Sequence, residues 1–512
     1  MDLTRRTLIS SAALAAGALA APPAFELEEA TVADLRKRMT AGSLTAHALT
    51  RAYLDRIAAI DKRGPALNSV IELNPDALAI AAALDTERKS AGHKEQGPRG
   101  PLHGIPILIK DNIDTADRMM TTAGSLALLG SIAARDSVVA ARLRAAGAVI
   151  LGKTNLSEWA NYRSSHSTSG WSGRGGLTRN PYALERNACG SSSGSGAAVS
   201  ANLCALAIGT ETDGSIVCPS STNGVVGIKP TLGLIPATGI VPIAHSQDTA
   251  GPMARTVADA ALLLGALTGA DYTKSLDANG LRGARIGVAR DKFFGFSEET
   301  DRVMEAAIGE MKRQGAEIID PADIPTAGKF DDSESIVLSY EFKNDLNLYL
   351  GALGPKAPVH SLADVIAFNE NHRDQEMPFF GQDLMIKAQA RGPLSSQEYL
   401  DALEKDHRLS RTEGIDAVMG KFRLDALVAP TAGPAWCTDL ITGDHDPGGS
   451  STPAAVAGYP NINVPAGYAF GLPVGISFFG AANSEALLIK LAYAFEQVTR
   501  HRRPPKFLPR AL

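Results

Sequence analysis

Cys189-Gly190-Ser191-Ser192-Ser193-Gly194-Ser195-Gly196 is followed by a small-residue run, Ala197 to Leu203, then by Ala205-Leu206-Ala207-Ile208 and Gly209-Thr210-Glu211-Thr212-Asp213-Gly214-Ser215-Ile216. The spacing predicts a helix over Ala197 to Leu203 and a short buried strand over Ala205 to Ile208. Two serine-bearing turns therefore flank one helix and one strand. Glycine permits close backbone approach and positive φ, and successive backbone N–H groups in such turns form an anion hole. Hydroxyls from both turns could face one site. A solvated Gly/Ser loop fits the same composition, and this segment read alone leaves both readings open.

Upstream, Ile105-Pro106-Ile107-Leu108-Ile109 is an apolar run of strand length that ends in Lys110-Asp111-Asn112. Ser137 to Ala146 reads as a helix, and Ala148 to Leu151 as a second buried strand. Downstream, Arg285 to Val288, a helix around Val303 to Met311 and Glu317 to Ile319 continue the alternation, and Asp425 to Pro430 reads as a returning strand. Strands alternating with helices indicate an α/β layer architecture. Nearer the start, Leu35, Met39, Leu44, Leu49, Tyr53 and Ile57 recur at helical steps, Gly42-Ser43 separates two helices, and Pro75 to Leu84 forms another. Residues from about 330 to 410 are more helical and polar, as an inserted subdomain or lid would be. No repeat or linker divides the chain, so one large domain over 21–512 is expected.

The 512 residues carry 50 Lys and Arg against 55 Asp and Glu, a net charge of −5, with 45% hydrophobic and 5% aromatic residues. A basic tract and a surplus of aromatics are both missing, so nucleic acid is not the expected ligand. Cys189, Cys204, Cys218 and Cys437 form no C-x-x-C and the histidines no H-E-x-x-H; no metal or cofactor is expected, and nothing suggests a disulfide framework. Thr4-Arg5-Arg6-Thr7-Leu8-Ile9 opens an Ala-rich apolar stretch that closes on Ala18-Leu19-Ala20 and is too short to cross a bilayer as a helix. Paired arginines ahead of such a stretch resemble a twin-arginine export signal over 1–20. On that reading, cleavage near Ala21 is expected to leave a mature bacterial protein outside the cytoplasm, periplasmic or secreted, without a membrane anchor.

In combination these motifs resemble the amidase signature family of serine hydrolases. That family shows a G-G-S-S-G-G-S loop, a later G-T-D-x-G-G-S-I turn, and an upstream apolar strand ending in Lys-Asp. All three occur here in order, together with Gly152-Lys153-Thr154-Asn155-Leu156-Ser157-Glu158-Trp159-Ala160 and Gly227-Ile228-Lys229-Pro230-Thr231. The likeness extends from the helix near Leu35 to Pro465-Ala466-Gly467-Tyr468, most of the chain beyond the leader.

The resemblance implies a single large mixed central sheet flanked by helices on both faces, and an amidohydrolase acting on linear amides through an acyl-enzyme. Residue by residue it puts Ser215 in the place of the nucleophile, Ser191 in that of a bridging serine and Lys110 in that of the base. A cis peptide bond is implied at Gly190–Ser191 or beside it. The backbone N–H groups of Thr212, Asp213, Gly214 and Ser215 take the place of an oxyanion hole, with Ser192 and Thr210 in supporting positions. The chemistry is coherent. A serine attacks only once its proton is removed, and a lysine removes it only when neutral, which burial favours. A second hydroxyl both donates and accepts, so it can relay the proton and then protonate the leaving amine. Read alone, Lys110 is a surface lysine paired with Asp111; the two serine turns reverse that reading. Ser193 and Ser195, like Ser192, otherwise read as loop hydroxyls serving backbone N–H groups.

Departures from the pattern are Glu211 for Asp, Asp213 for Gly, and Val217 where an arginine is frequent, which removes a reader of charged substrates. Thr212 to Pro219, Trp159-Ala160-Asn161-Tyr162-Arg163 and Gly170-Trp171-Ser172 resemble the peptide amidase branch. That implies release of ammonia from the C-terminal carboxamide of peptides by a monomer; the alternative is a general amidase, or an aryl acylamidase or esterase, acting on small non-peptide amides. Tyr162, Trp171, Trp436 and Tyr459 are apolar candidates for the acyl pocket, and core packing explains each equally well. Gly147 to Thr154 matches a P-loop pattern, but an apolar strand occupies the phosphate-cradle positions. Gly190 to Gly194 matches G-x-S-x-G without the strand a nucleophile elbow needs. A non-enzymatic binding protein would not need both Lys110 and Ser215, and export disfavours a tRNA-dependent amidotransferase subunit.

Overall fold

The computed structural model describes residues 27–92, 97–355 and 357–511. The segment read as an export signal, 1–20, lies outside them. Eleven strands form one sheet. In chain order they are β1 (Val70–Leu73), β2 (Pro106–Lys110), β3 (Val149–Thr154), β4 (Leu206–Glu211), β5 (Val226–Lys229), β6 (Thr249–Ala254), β7 (Arg285–Val288), β8 (Glu317–Ile319), β9 (Ala426–Pro430), β10 (Asn461–Ala469) and β11 (Leu472–Phe479). Their spatial order is β1-β3-β2-β4-β6-β5-β10-β11-β9-β7-β8. β3, β2 and β4 run parallel, as do β9, β7 and β8. Antiparallel pairings from β4 through β6, β5, β10 and β11 to β9 join these two parallel ends.

Every residue of β2, β3, β4, β6 and β11 is buried, the pattern of strands covered on both faces. Helix Ser193–Ser200 packs on β2, β3, β4 and β6, and helices Glu298–Arg313 and Glu485–Thr499 pack on β10 and β11. The sequence specifies such packing directly. In Glu298–Arg313 the buried residues Thr300, Met304, Ala307, Ile308 and Met311 form one stripe, and Ser297 caps the N-terminus by accepting from Thr300 N. The architecture is the large mixed α/β sheet with packed helices that the motifs led us to expect.

The Gly/Ser helix begins earlier than its sequence suggests, at Ser193 rather than Ala197, and ends at Ser200. Glycine and serine are weak helix formers, so local propensity hides the first turn. Close packing supplies the reason for them: a Cβ at Gly194 would strike the backbone of Ser69 and Asn155. The P-loop-like stretch is strand from Val149 to Thr154, with no cradle.

Residues 331–407 carry helices Asp331–Ala352, Leu362–Asn371, Arg373–Glu376, Asp383–Gln389 and Gln397–His407, and helical backbone resumes after a kink at Gly414 and runs to Phe422. Phe342, Leu346 and Leu350 of the first pack against Trp159, Val241, Ile243 and Ala244, which attaches this segment beside the serine turns. Number and spacing of the cysteines left their pairing open: Cys189 and Cys218 form a disulfide, while Cys204 and Cys437 stay free. The pair is 29 residues apart and follows no spacing rule; the fold brings its Cα atoms to 6.1 Å. No helix among the described residues is long and apolar enough to cross a membrane.

Candidate active site

β2 and β4 are parallel neighbours with Ile107 opposite Leu206 and Ile109 opposite Ile208, so their C-terminal ends emerge side by side. Lys110 closes β2; Thr210 and Glu211 close β4. Open α/β sheets place their sites at such strand ends. Lys110 is 0% exposed. Its Nζ lies 2.7 Å from Ser191 Oγ, 2.9 Å from Thr210 Oγ1 and 3.2 Å from Thr210 O. Burial brings the amine down to about 7, against the opposing charges of Asp248 and Glu211. Asp111 is not its partner; that carboxylate meets Arg174 and Thr122 instead.

The Gly190–Ser191 peptide bond is cis. A Cβ on residue 190 would overlap Ser157 Oγ, so glycine is required for the approach. Ser157 in turn holds the loop by donating its N–H to Ser191 O at 3.1 Å. Ser192 N donates to Ser215 O at 3.2 Å, which docks the two turns on each other. Ser192 Oγ donates to Thr210 O at 3.1 Å and accepts from Thr210 N at 3.2 Å. The neighbouring hydroxyls do not serve N–H groups as expected. Ser193 Oγ donates to Cys189 O, and Ser195 Oγ donates to Ile208 O at 2.9 Å. Ser195 Oγ also meets Thr154 Oγ1 at 2.8 Å; because the helix already starts at Ser193, these hydroxyls find carbonyls and a hydroxyl within reach and not N–H groups.

Ser215 is 8% exposed and lines a cleft of about 390 Å³. Gly214 has φ of +75°, which lets the chain turn tightly before it. The backbone N–H groups of Thr212, Asp213, Gly214 and Ser215 donate to no protein acceptor among the described residues. Donors left free at a cleft wall suit a developing oxyanion. Around them the turn is fastened. Glu211 Oε2 accepts from Ile216 N at 2.7 Å and Val217 N at 3.0 Å. Asp213 Oδ2 accepts from Thr452 Oγ1 at 2.6 Å, and Thr212 Oγ1 donates to Asp248.

Lys110, Ser191, Ser192 and Thr210 are thus directly joined. Ser215 meets them through its backbone; no hydrogen bond links its Oγ to Ser191 Oγ among the described residues. Of the four aromatic candidates, Tyr162 and Trp436 line the cleft. Trp171 packs edge-on against Phe379 and Phe380 under Arg163, and Tyr459 donates to Asp416 in a separate core cluster. Sequence reasoning missed three contributors. Asn112 Nδ2 donates to Thr210 Oγ1 at 3.0 Å, and its place in the Lys-Asp-Asn run was a usable signal. Glu211 registered only as a departure, and Asp248 carried no signal. Elsewhere His245, Glu341 and Asp345 gather ligand atoms within 4.8 Å, but His245 Nδ1 already meets Asp345 at 2.8 Å and Glu341 accepts from Tyr399 at 2.7 Å. None of the three lines the cleft.

A buried amine on a serine hydroxyl, set beside a second serine and a row of free N–H groups, defines a class of hydrolytic site. A family model described as Amidase matches residues 48–489. The chain belongs to the amidase family and is an amidohydrolase. It is 44% identical to a probable amidase of Arabidopsis thaliana over 507 residues, which cover 94% of this chain and 93% of that one. The X-ray structure of native peptide amidase from Stenotrophomonas maltophilia matches with a TM-score of 0.89 at 52% identity, covering 94% of this chain and 99% of that chain. A peptide amidase in complex with the competitive inhibitor chymostatin matches with a TM-score of 0.90 at 52% identity, covering 94% and 100%.

Proposed function

We propose that this enzyme is a serine amidase that hydrolyses the C-terminal carboxamide of peptides to the free acid and ammonia. The observation that carries the reading is the contact between the wholly buried Lys110 Nζ and Ser191 Oγ at 2.7 Å. In this reading neutral Lys110 takes a proton from Ser191, which takes one from Ser215, and Ser215 Oγ attacks the amide carbon. The free N–H groups of residues 212–215 hold the oxyanion. Ser191 then gives a proton to the leaving nitrogen and recovers one from Lys110 as ammonia departs; water attacks the acyl carbon, its proton passing through Ser191 to Lys110, and Ser215 Oγ leaves as the acid is freed, reprotonated by Ser191, which recovers its proton from Lys110.

The substrate class rests on two supports. The first is the likeness to peptide amidase structures at 52% identity. The second is charge: the cleft's lining includes Asp213, Asp444 and Asp446, and no Lys, Arg or His among the described residues. Such a cleft offers no cationic side chain to a substrate carboxylate, sets three carboxyl groups against it, and suits a neutral carboxamide. The Cys189–Cys218 disulfide supports export as read from the first twenty residues, since such bonds persist outside a reducing cytosol.

The test is ammonia release from a peptide amide and from its free-acid counterpart, with simple amides and anilides alongside. Ammonia is expected from the peptide amide and not from the acid, and Ser215→Ala is expected to fold and release none. Release from neither peptide rejects the substrate; ordinary turnover by Ser215→Ala rejects the nucleophile.

A further inference from the structure

Ammonia is small, so the acyl part of a carboxamide must fill nearly all of the cleft. Its polar wall has been described; its apolar wall includes a compact cluster of Cys189, Cys218, Ala432 and Trp436, every member of which lines the cleft. Two members are tied to the reacting groups by the chain itself. Cys189 immediately precedes Gly190, Cys218 follows Ser215 by one helical turn, and the disulfide joins them. Whatever sits on this face therefore keeps a fixed place relative to Ser191 and Ser215.

Trp436 is held as firmly. Its Nε1–H donates to Asp444 Oδ1 at 3.2 Å. The same carboxylate accepts from Ser169 N at 3.0 Å and from Asn187 Nδ2 at 3.4 Å. Asn187 Oδ1 accepts from Cys189 N at 2.7 Å, and Asn187 N donates to Trp436 O at 2.8 Å. The polar edge of the indole is thus used up, and what remains for a substrate is carbon and sulfur surface. Large aromatic rings with a satisfied polar edge are strong apolar contacts. The groups nearest an amide carbon attacked by Ser215 are the substituents on the adjacent α-carbon.

Resting on the reading of Ser215 as the acyl acceptor, we propose that the disulfide and Trp436 form the subsite for the side chain next to the scissile carboxamide. The subsite selects apolar side chains, branched aliphatic or aromatic, over glycine.

The experiment uses N-blocked dipeptide amides that differ only in the last residue, Gly, Ala, Leu or Phe, with ammonia release followed for each. Wild type is expected to favour Leu and Phe over Gly in kcat/KM by about 10- to 100-fold. Trp436→Ala is expected to lower the Leu-to-Gly ratio about tenfold. Ala432→Leu, which adds bulk at another cleft-lining member of the cluster, should turn the ratio in favour of Gly. It carries the test if Trp436→Ala does not fold. A wild type that treats the Gly and Leu amides alike, or a ratio unchanged in the folded variants, overturns the subsite. Ammonia from none of the amides overturns the underlying function instead.

Discussion

Lys110 and Lys229 end two strands of one sheet, β2 and β5, and both are wholly buried. Their partners differ. Lys229 Nζ donates to Ala454 O at 3.1 Å and Tyr459 O at 2.6 Å. Lys110 Nζ faces two hydroxyls and one carbonyl. Burial draws both amines down, Lys229 to about 8 with Glu211, Asp213 and Glu485 favouring its charge, and Lys110 to about 7. A carbonyl only accepts, so Lys229 is fixed as a donor that ties loops to the sheet. A hydroxyl also gives a proton back. Burial alone therefore does not make a base; an exchangeable partner does.

Replacing each lysine by methionine should separate the two roles. Lys110→Met is expected to fold with a circular dichroism spectrum like wild type and to lose about 10³-fold or more in kcat, within the range of a missing general base. Activity within tenfold of wild type would collapse the distinction. Lys229→Met should behave in reverse. It strands two buried carbonyls and removes the charge that compensates Glu211 and Asp213, so urea unfolding should show a loss of about 3–5 kcal/mol. The protein that remains folded should keep kcat within about tenfold, and a kcat deficit matching that of Lys110→Met breaks the comparison.

The smallest effect is in pH dependence. In the proposed relay the active form of Lys110 is the uncharged amine, so kcat/KM should rise as pH increases through about 7 and then level off. Asp248 stabilises the ammonium; Asp248→Asn should move that rise to lower pH. The displacement should be modest, because burial pushes the Asp248 carboxyl itself up to about 7 and its charge is only partly present there. A rise displaced to higher pH, or left in place, would remove Asp248 from the account.

These residues differ in how far the sequence declared them. The strand that ends on Lys110 was legible because a continuous apolar run marks a buried strand, but the lysine itself read as a surface residue until the two serine turns and the family pattern were set beside it. Ser191 and Ser215 stood out from the other loop hydroxyls only through the resemblance to the family's two serine turns, since a Gly/Ser loop by itself fits solvent as well as a site. The start of the helix at Ser193 was not, since close packing there overrides poor propensity. The Cys189–Cys218 bond depends on a chain reversal that no local pattern encodes. Trp171 and Tyr459 show another limit: an aromatic residue satisfies a core and a cleft equally well, and only the finished packing assigned these two to the core.

The two-way bond between Ser192 Oγ and the backbone of Thr210 acts like a rung between the head of a helix and the rim of the sheet. Ser191 adjoins the same helix head and Lys110 bonds both Ser191 Oγ and Thr210 Oγ1, so both are pinned to one frame. In the proposed relay the proton-transfer pair therefore stands assembled without a substrate to gather it.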